Sequence, residues 1–91
     1  MSMSKGYVPY MTLWDETEVV HTCSENIEEV IVYFEKADED GFKHLKISLH
    51  NLKIHDVKGF NDYEKKDLIR FCLNNYDLIA EYSKVGGVAH A

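Results

Sequence analysis

Apolar residues early in the chain alternate with polar ones or run in short blocks. Later they recur at helical spacing, so the pattern predicts strands first and a helix after them. Tyr7 to Trp14 reads as a strand, and Pro9, which has no amide proton to give, suits an edge position. After a turn at Asp15-Glu16-Thr17, Glu18 to Ser24 alternates Val19, His21 and Cys23 against Val20 and Thr22 and is predicted to pair with the first strand as a hairpin. Glu29 to Glu35 carries β-branched and aromatic residues at both parities, which marks a central strand. Asp38-Glu39-Asp40-Gly41 has the composition of a hairpin loop, with Gly41 free to take positive φ. From Phe42 to Leu49 the inward set is Leu45, Ile47 and Leu49. Past His50-Asn51 it flips parity to Leu52 and Ile54, which calls for a bulge or a short turn before the sheet ends near Val57.

A helix follows. Asn61 with Glu64 three residues on has capping-box spacing, Asp62 complements the helix dipole, and Phe60 can pack back as a staple. Gly86-Gly87 supply the stop, and Asn74-Asn75 are weak helix formers where a bend can fall. Around the axis, Ile69, Cys72, Leu73, Tyr76, Ile79 and Ala80 form a stripe predicted to face the sheet, opposite Lys66, Asp67, Arg70, Asn74, Asp77, Glu81 and Lys84. Phe71, Leu78 and Tyr82 fall on a second flank, with Leu68 between the two stripes. The apolar arc spans about 200°, where roughly 100° or somewhat more suffices against one sheet. Three things can cover the surplus: the Tyr7/Tyr10 segment or the Val85–Ala91 tail folding back, a partner surface, or a small ligand. The partner reading expects Phe71, Leu78 and Tyr82 to be buried only in an oligomer.

The implied fold is α+β: an antiparallel meander sheet of four to five strands, covered on one face by a single long C-terminal helix. Residues 1–91 are read as one domain, with a disordered leader at 1–6, the sheet over 7–57 and the helix over 61–84. The far face of the sheet is expected to be partly exposed, with Val20, Ile31 and Tyr33 apolar enough to invite a partner.

Composition sets limits on this picture. At 45% hydrophobic and 12% aromatic, the chain is too apolar for disorder throughout. No apolar run is long enough for a membrane span and no signal peptide opens the chain, so a cytoplasmic protein without membrane contact is expected. The net charge of −6 is uneven. Ten acids face two lysines in residues 1–40, whereas eight basic residues face six acids in 41–91. The acidic first part repels phosphate backbones, so direct nucleic-acid binding is not expected.

Candidate chemistry is sparse. Cys23 and Cys72 have no metal-ligand spacing and read as small hydrophobes. His44, His50 and His55 gather in one region with His21 elsewhere, but a straight strand separates His44 from His50 by about 20 Å, and no metal site or cofactor is assigned. Asp38-x-Asp40-Gly41 resembles part of a calcium loop, but its first and last ligand places hold Lys36 and Ile47. His55 and Asp56 are adjacent, and strand neighbours point to opposite faces, so they are not read as a dyad. No phosphate loop, nucleophile elbow or helical zinc motif occurs in the chain.

These features favour a small, non-enzymatic interaction protein working through Leu68, Phe71, Leu78 and Tyr82 or through the open sheet face, with a second copy of itself as the expected partner. The alternative is an acidic inhibitor of the phage or mobile-element type. It would mimic nucleic acid through Glu25, Glu28, Glu29, Asp38, Glu39 and Asp40 and block a nucleic-acid-binding protein.

Overall fold

The computed structural model describes residues 6–86. Most of the expected leader, and the tail beyond Gly86, lie outside the described residues. Five antiparallel strands form one open sheet in sequence order: β1 (Tyr7–Thr12), β2 (Glu18–Thr22), β3 (Ile31–Asp38), β4 (Gly41–Ser48) and β5 (Ile54–Lys58). A single 3-10 turn, Ile27–Glu29, precedes β3. Two helices follow, α1 (Asp62–Asn74) and α2 (Tyr76–Val85), in place of the one long helix expected.

Each strand gives one parity to the helices. Val19 of β2, Val32 and Phe34 of β3, and Leu45 and Ile47 of β4 are buried with Val30 and Leu49, and Leu68, Cys72 and Ile79 close over them. The parity flip after β4 is a turn, in which Ser48 and Leu52 are joined by a backbone hydrogen bond and Leu52 takes φ 58°. β1 is an edge strand, and it is bulged between Pro9 and Met11. Trp14, placed by its pattern in the first strand, stands instead in the β1–β2 turn and is 96% exposed.

The entry to α1 is built as its sequence predicts. Asn61 accepts from the Glu64 amide at 2.8 Å, and the Glu64 carboxylate accepts from the Asn61 amide at 2.9 Å. Gly59 sets the approach, with φ +86° and a would-be Cβ only 2.8 Å from Lys43 Cγ, so the chain passes β4 closely only because no side chain is there. Lys43 then reaches Glu64 at 3.3 Å.

The break falls at Asn75, which takes φ −111° and ψ 12°. Its side-chain amide donates to the Phe71 carbonyl at 2.9 Å and its Oδ1 accepts from the Tyr10 hydroxyl at 2.8 Å. Asn75 thus satisfies part of the end of α1 with its own side chain, while its carbonyl accepts from the Ile79 amide inside α2. The observed helical faces also differ from the expected ones. Leu73, predicted to face the sheet, is 57% exposed, while Leu68, predicted to lie on the margin, is 7% exposed and belongs to the core. Gly86 ends α2 in the left-handed conformation, with φ 91°.

Removing the Tyr10 hydroxyl orphans Asn75 Oδ1 at this junction. Tyr10→Phe is therefore expected to cost about 1–2 kcal/mol, read as a lower urea midpoint with an unchanged denaturant slope.

Candidate functional site

The helices cover one face of the sheet, and the other is the largest surface the fold leaves open. Its side chains fall into cross-strand rows fixed by the register. One row holds Glu18, Glu35, His44 and Lys58, paired successively across β2 to β5. The next holds Pro9, Val20, Tyr33, Lys46 and Asp56. Tyr7 faces Thr22, and Ile31 faces Ser48, one step further along.

Aromatic contacts knit these rows together. Tyr7 lies against Tyr33 with ring centroids 5.7 Å apart, and Tyr33 stacks on the His44 imidazole at 6.1 Å and 19°. Val20, between Pro9 and Tyr33, is only 8% exposed although no helix covers it. Burial raises the Tyr33 hydroxyl above its ordinary value, with the Glu35 carboxylate adding to the effect. The phenol is neutral near pH 7 and can donate a hydrogen bond.

His44 Nε2–H donates to Asp56 Oδ2 at 3.0 Å, and Ser48 Oγ is hydrogen-bonded to His55 Nε2. Adjacent residues His55 and Asp56 therefore both reach β4 residues of the open-face parity, contrary to the strict alternation expected of strand neighbours. The cause is a bulge. Lys46 pairs with Asp56 while Ile47 pairs with Ile54, leaving His55 as the extra residue. The inward pair Ile54 and Val57, three positions apart, cannot share a face without such a slip, and that spacing was the available signal. Ser48 carried no signal of its own.

On the helix side, Phe71 and Tyr82 are not left for a partner. Tyr10 crosses over them, 6.1 Å from Phe71 and 6.0 Å from Tyr82, and Phe71 also meets Phe34 edge-on at 5.8 Å. Both are half-buried within the chain, which corrects the expectation that only an oligomer covers them. Leu68 is in the core, and Leu78, 47% exposed, is the one member of that set facing water. The six acidic residues do not form one surface. Glu25, Glu28 and Glu29 lie in and before the 3-10 turn at one end of the strands, and Asp38, Glu39 and Asp40 form the hairpin at the other. An eight-residue strand separates the two groups by about 26 Å.

The remaining reactive groups are quiet. Burial pushes the Cys72 thiol up to about 12 and raises that of exposed Cys23, so neither offers an activated thiolate. His50 is exposed beside the β4–β5 turn. Among the described residues no three His, Cys, Asp or Glu side chains converge as metal ligands, and no helix is long and apolar enough to cross a membrane. No protein-family model matches the chain, and comparison with curated proteins and with solved structures gives no match.

Proposed function

We propose that this protein is a small binding module that performs no reaction and works by pairing its open sheet face with a second copy of itself. The observation that carries the reading is the uncovered face itself, with Tyr7, Val20, Ile31 and Tyr33 gathered on one side of a five-stranded sheet. Val20 is already buried and Tyr7, Ile31 and Tyr33 are half-buried among charged neighbours, so the face is mixed, and packing it against another layer would complete the cover of those rings.

Charge favours a second copy over an unrelated layer. Glu18 and Glu35 occupy the β2–β3 half of their row and His44 and Lys58 the β4–β5 half. A two-fold axis parallel to the strands and lying between β3 and β4 sets Glu35 of one copy opposite His44 of the other, and Glu18 opposite Lys58. That row is thus complementary to itself under the commonest oligomer symmetry, while the same axis sets Tyr33 opposite Lys46 and Val20 opposite Asp56 in the next.

Light scattering on a sizing column at about 100 µM tests this, the expectation being twice the chain mass of 10.6 kDa. Tyr33→Glu puts a carboxylate at the centre of the interface while removing nothing from the core, and is expected to give a monomer with unchanged circular dichroism. A wild-type chain that elutes as a monomer at that concentration ends the proposal.

A further inference from the structure

The end of the sheet where β1 turns into β2 holds an oddity that the sheet face does not explain. Trp14 is 96% exposed, although tryptophan is rarely left in water. The turn bearing it is firmly built. Leu13 donates its amide to the Thr17 carbonyl and accepts from the Glu16 amide, both at 2.8 Å. Asp15 accepts from the Thr17 amide at 3.1 Å and holds Lys36 of β3 at 3.3 Å, and Thr17 is 1% exposed. Burial alone would raise the Asp15 carboxyl. The hydrogen bonds from Thr17 and the Lys36 ammonium outweigh it and hold the group below its ordinary value. The loop is held by these bonds, and the indole it displays is left in water among the described residues.

The same end carries a second exposed aromatic and most of the local charge. Phe42, 60% exposed, stands near the start of β4 opposite Ala37, one cross-strand pair beyond Lys36 and Lys43 and on the other face of the sheet from them. Around the two tips stand Asp15, Glu16, Asp38, Glu39 and Asp40, with Lys36 and Lys43 beside them. Both lysines are already engaged, Lys36 by Asp15 and Lys43 by Glu64. Glu16, Asp38, Glu39 and Asp40 make no ion pair among the described residues.

We infer that this end of the sheet docks a basic, arginine-bearing segment of a partner protein, with guanidinium groups lying on the Trp14 and Phe42 rings and salt-bridging the surrounding carboxylates. Charge selects this occupant. Nucleic acid and anionic membranes are repelled, and so is the same end of a second copy, whereas arginine uses aromatic faces and carboxylates together. The site lies beyond the sheet face and does not depend on the dimer.

Trp14 is the only tryptophan, so its emission reports the site directly. Titrating the full chain with an (Arg-Gly)5 peptide is expected to shift that emission to the blue and saturate, with affinity falling as salt is added. An (Glu-Gly)5 peptide, neutral or anionic lipid vesicles, and concentration of the protein alone are expected to leave it unmoved. Asp38→Asn/Glu39→Gln/Asp40→Asn is expected to weaken peptide binding at least tenfold. Glu25→Gln/Glu28→Gln/Glu29→Gln, at the opposite end, is expected to change it less than twofold. Trp14→Ala, read by anisotropy of labelled peptide, is expected to lose at least fivefold, and its side chain leaves no cavity behind. Tyr33→Glu should bind the peptide as the wild type does, which separates this result from the oligomeric state. No emission shift with the arginine peptide overturns the inference. So does equal weakening by the two charge variants, which means attraction to net charge alone, or a shift with vesicles or on self-concentration.

Discussion

Phe34→Ala is expected to remove a third or more of this protein's folding stability, about 3–5 kcal/mol. Phe34 sits on the central strand, is fully buried, and meets the edge of Phe71 from α1. Truncating it removes the transfer free energy of a benzyl group and opens a cavity between sheet and helix, a loss of about 3–5 kcal/mol. A domain of this size has about 5–15 kcal/mol in total, most often toward the low end when the core is small. Urea unfolding followed by circular dichroism is expected to show a midpoint shift of that size, or no native baseline at all. Leu78→Ala removes a side chain of comparable volume that is 47% exposed, and is expected to change stability by about 0.5 kcal/mol or less. If the two cost the same, the helices do not pack on β3 as described.

The second large effect is a loss of stability on mild acidification, and it comes from His21. The ring is fully buried, Nδ1–H donates to the Thr22 carbonyl at 2.8 Å, and among the described residues Nε2 has no partner. Protonation would place a charge in the core beside the Tyr10 ring, and among the described residues no carboxylate pairs with it. Burial accordingly holds the imidazole below its ordinary value of 6.5, outweighing the carbonyl bond that favours the cation. The folded state therefore binds the proton less readily than the unfolded chain. Stability is fully present above about pH 6.5 and declines as pH falls toward the lowered folded value, with a limiting slope of about 1.4 kcal/mol per pH unit. Urea midpoints from pH 7.5 to 5 are expected to follow that decline, and His21→Leu to flatten it. Asp15 and Glu64 act in a different window. Both carboxyls are held below their ordinary values near 4, so the stability they confer is lost only when pH falls further, through those lowered values. A slope between pH 7.5 and 5 that survives His21→Leu would assign the effect to another group.

Much of the fold was legible because local rules and tertiary packing agree. Alternation located the strands, Gly41 and the acidic run located the β3–β4 hairpin, and Asn61 with Glu64 located the start of α1. The helix length was misread because apolar periodicity runs on across a one-residue interruption. Asn75 breaks the helix with a side chain that Tyr10 holds from 65 positions away, and no local pattern carries such a bond. That one contact also decided which candidate covers Phe71 and Tyr82. The surplus apolar arc was real, but it needs the chain's own first strand, leaving Leu73 and Leu78 in water. The bulge at His55 hid for a similar reason. A single skipped residue reverses every face after it, and only the odd spacing of Ile54 and Val57 betrays it. The turn at Asp15-Glu16-Thr17 was legible, but the place of Trp14 in it was not, since an aromatic after a strand reads as more strand.

Tyr10 on the first strand and Asn75 beyond the last one also set an order of events during synthesis. Every strand has been translated before Leu68, Cys72 and Ile79 leave the ribosome, so the nascent meander waits with its greasy side bare for the residues that seal it. The interval is the moment at which neighbouring nascent chains could capture one another, and chaperone demand should peak there.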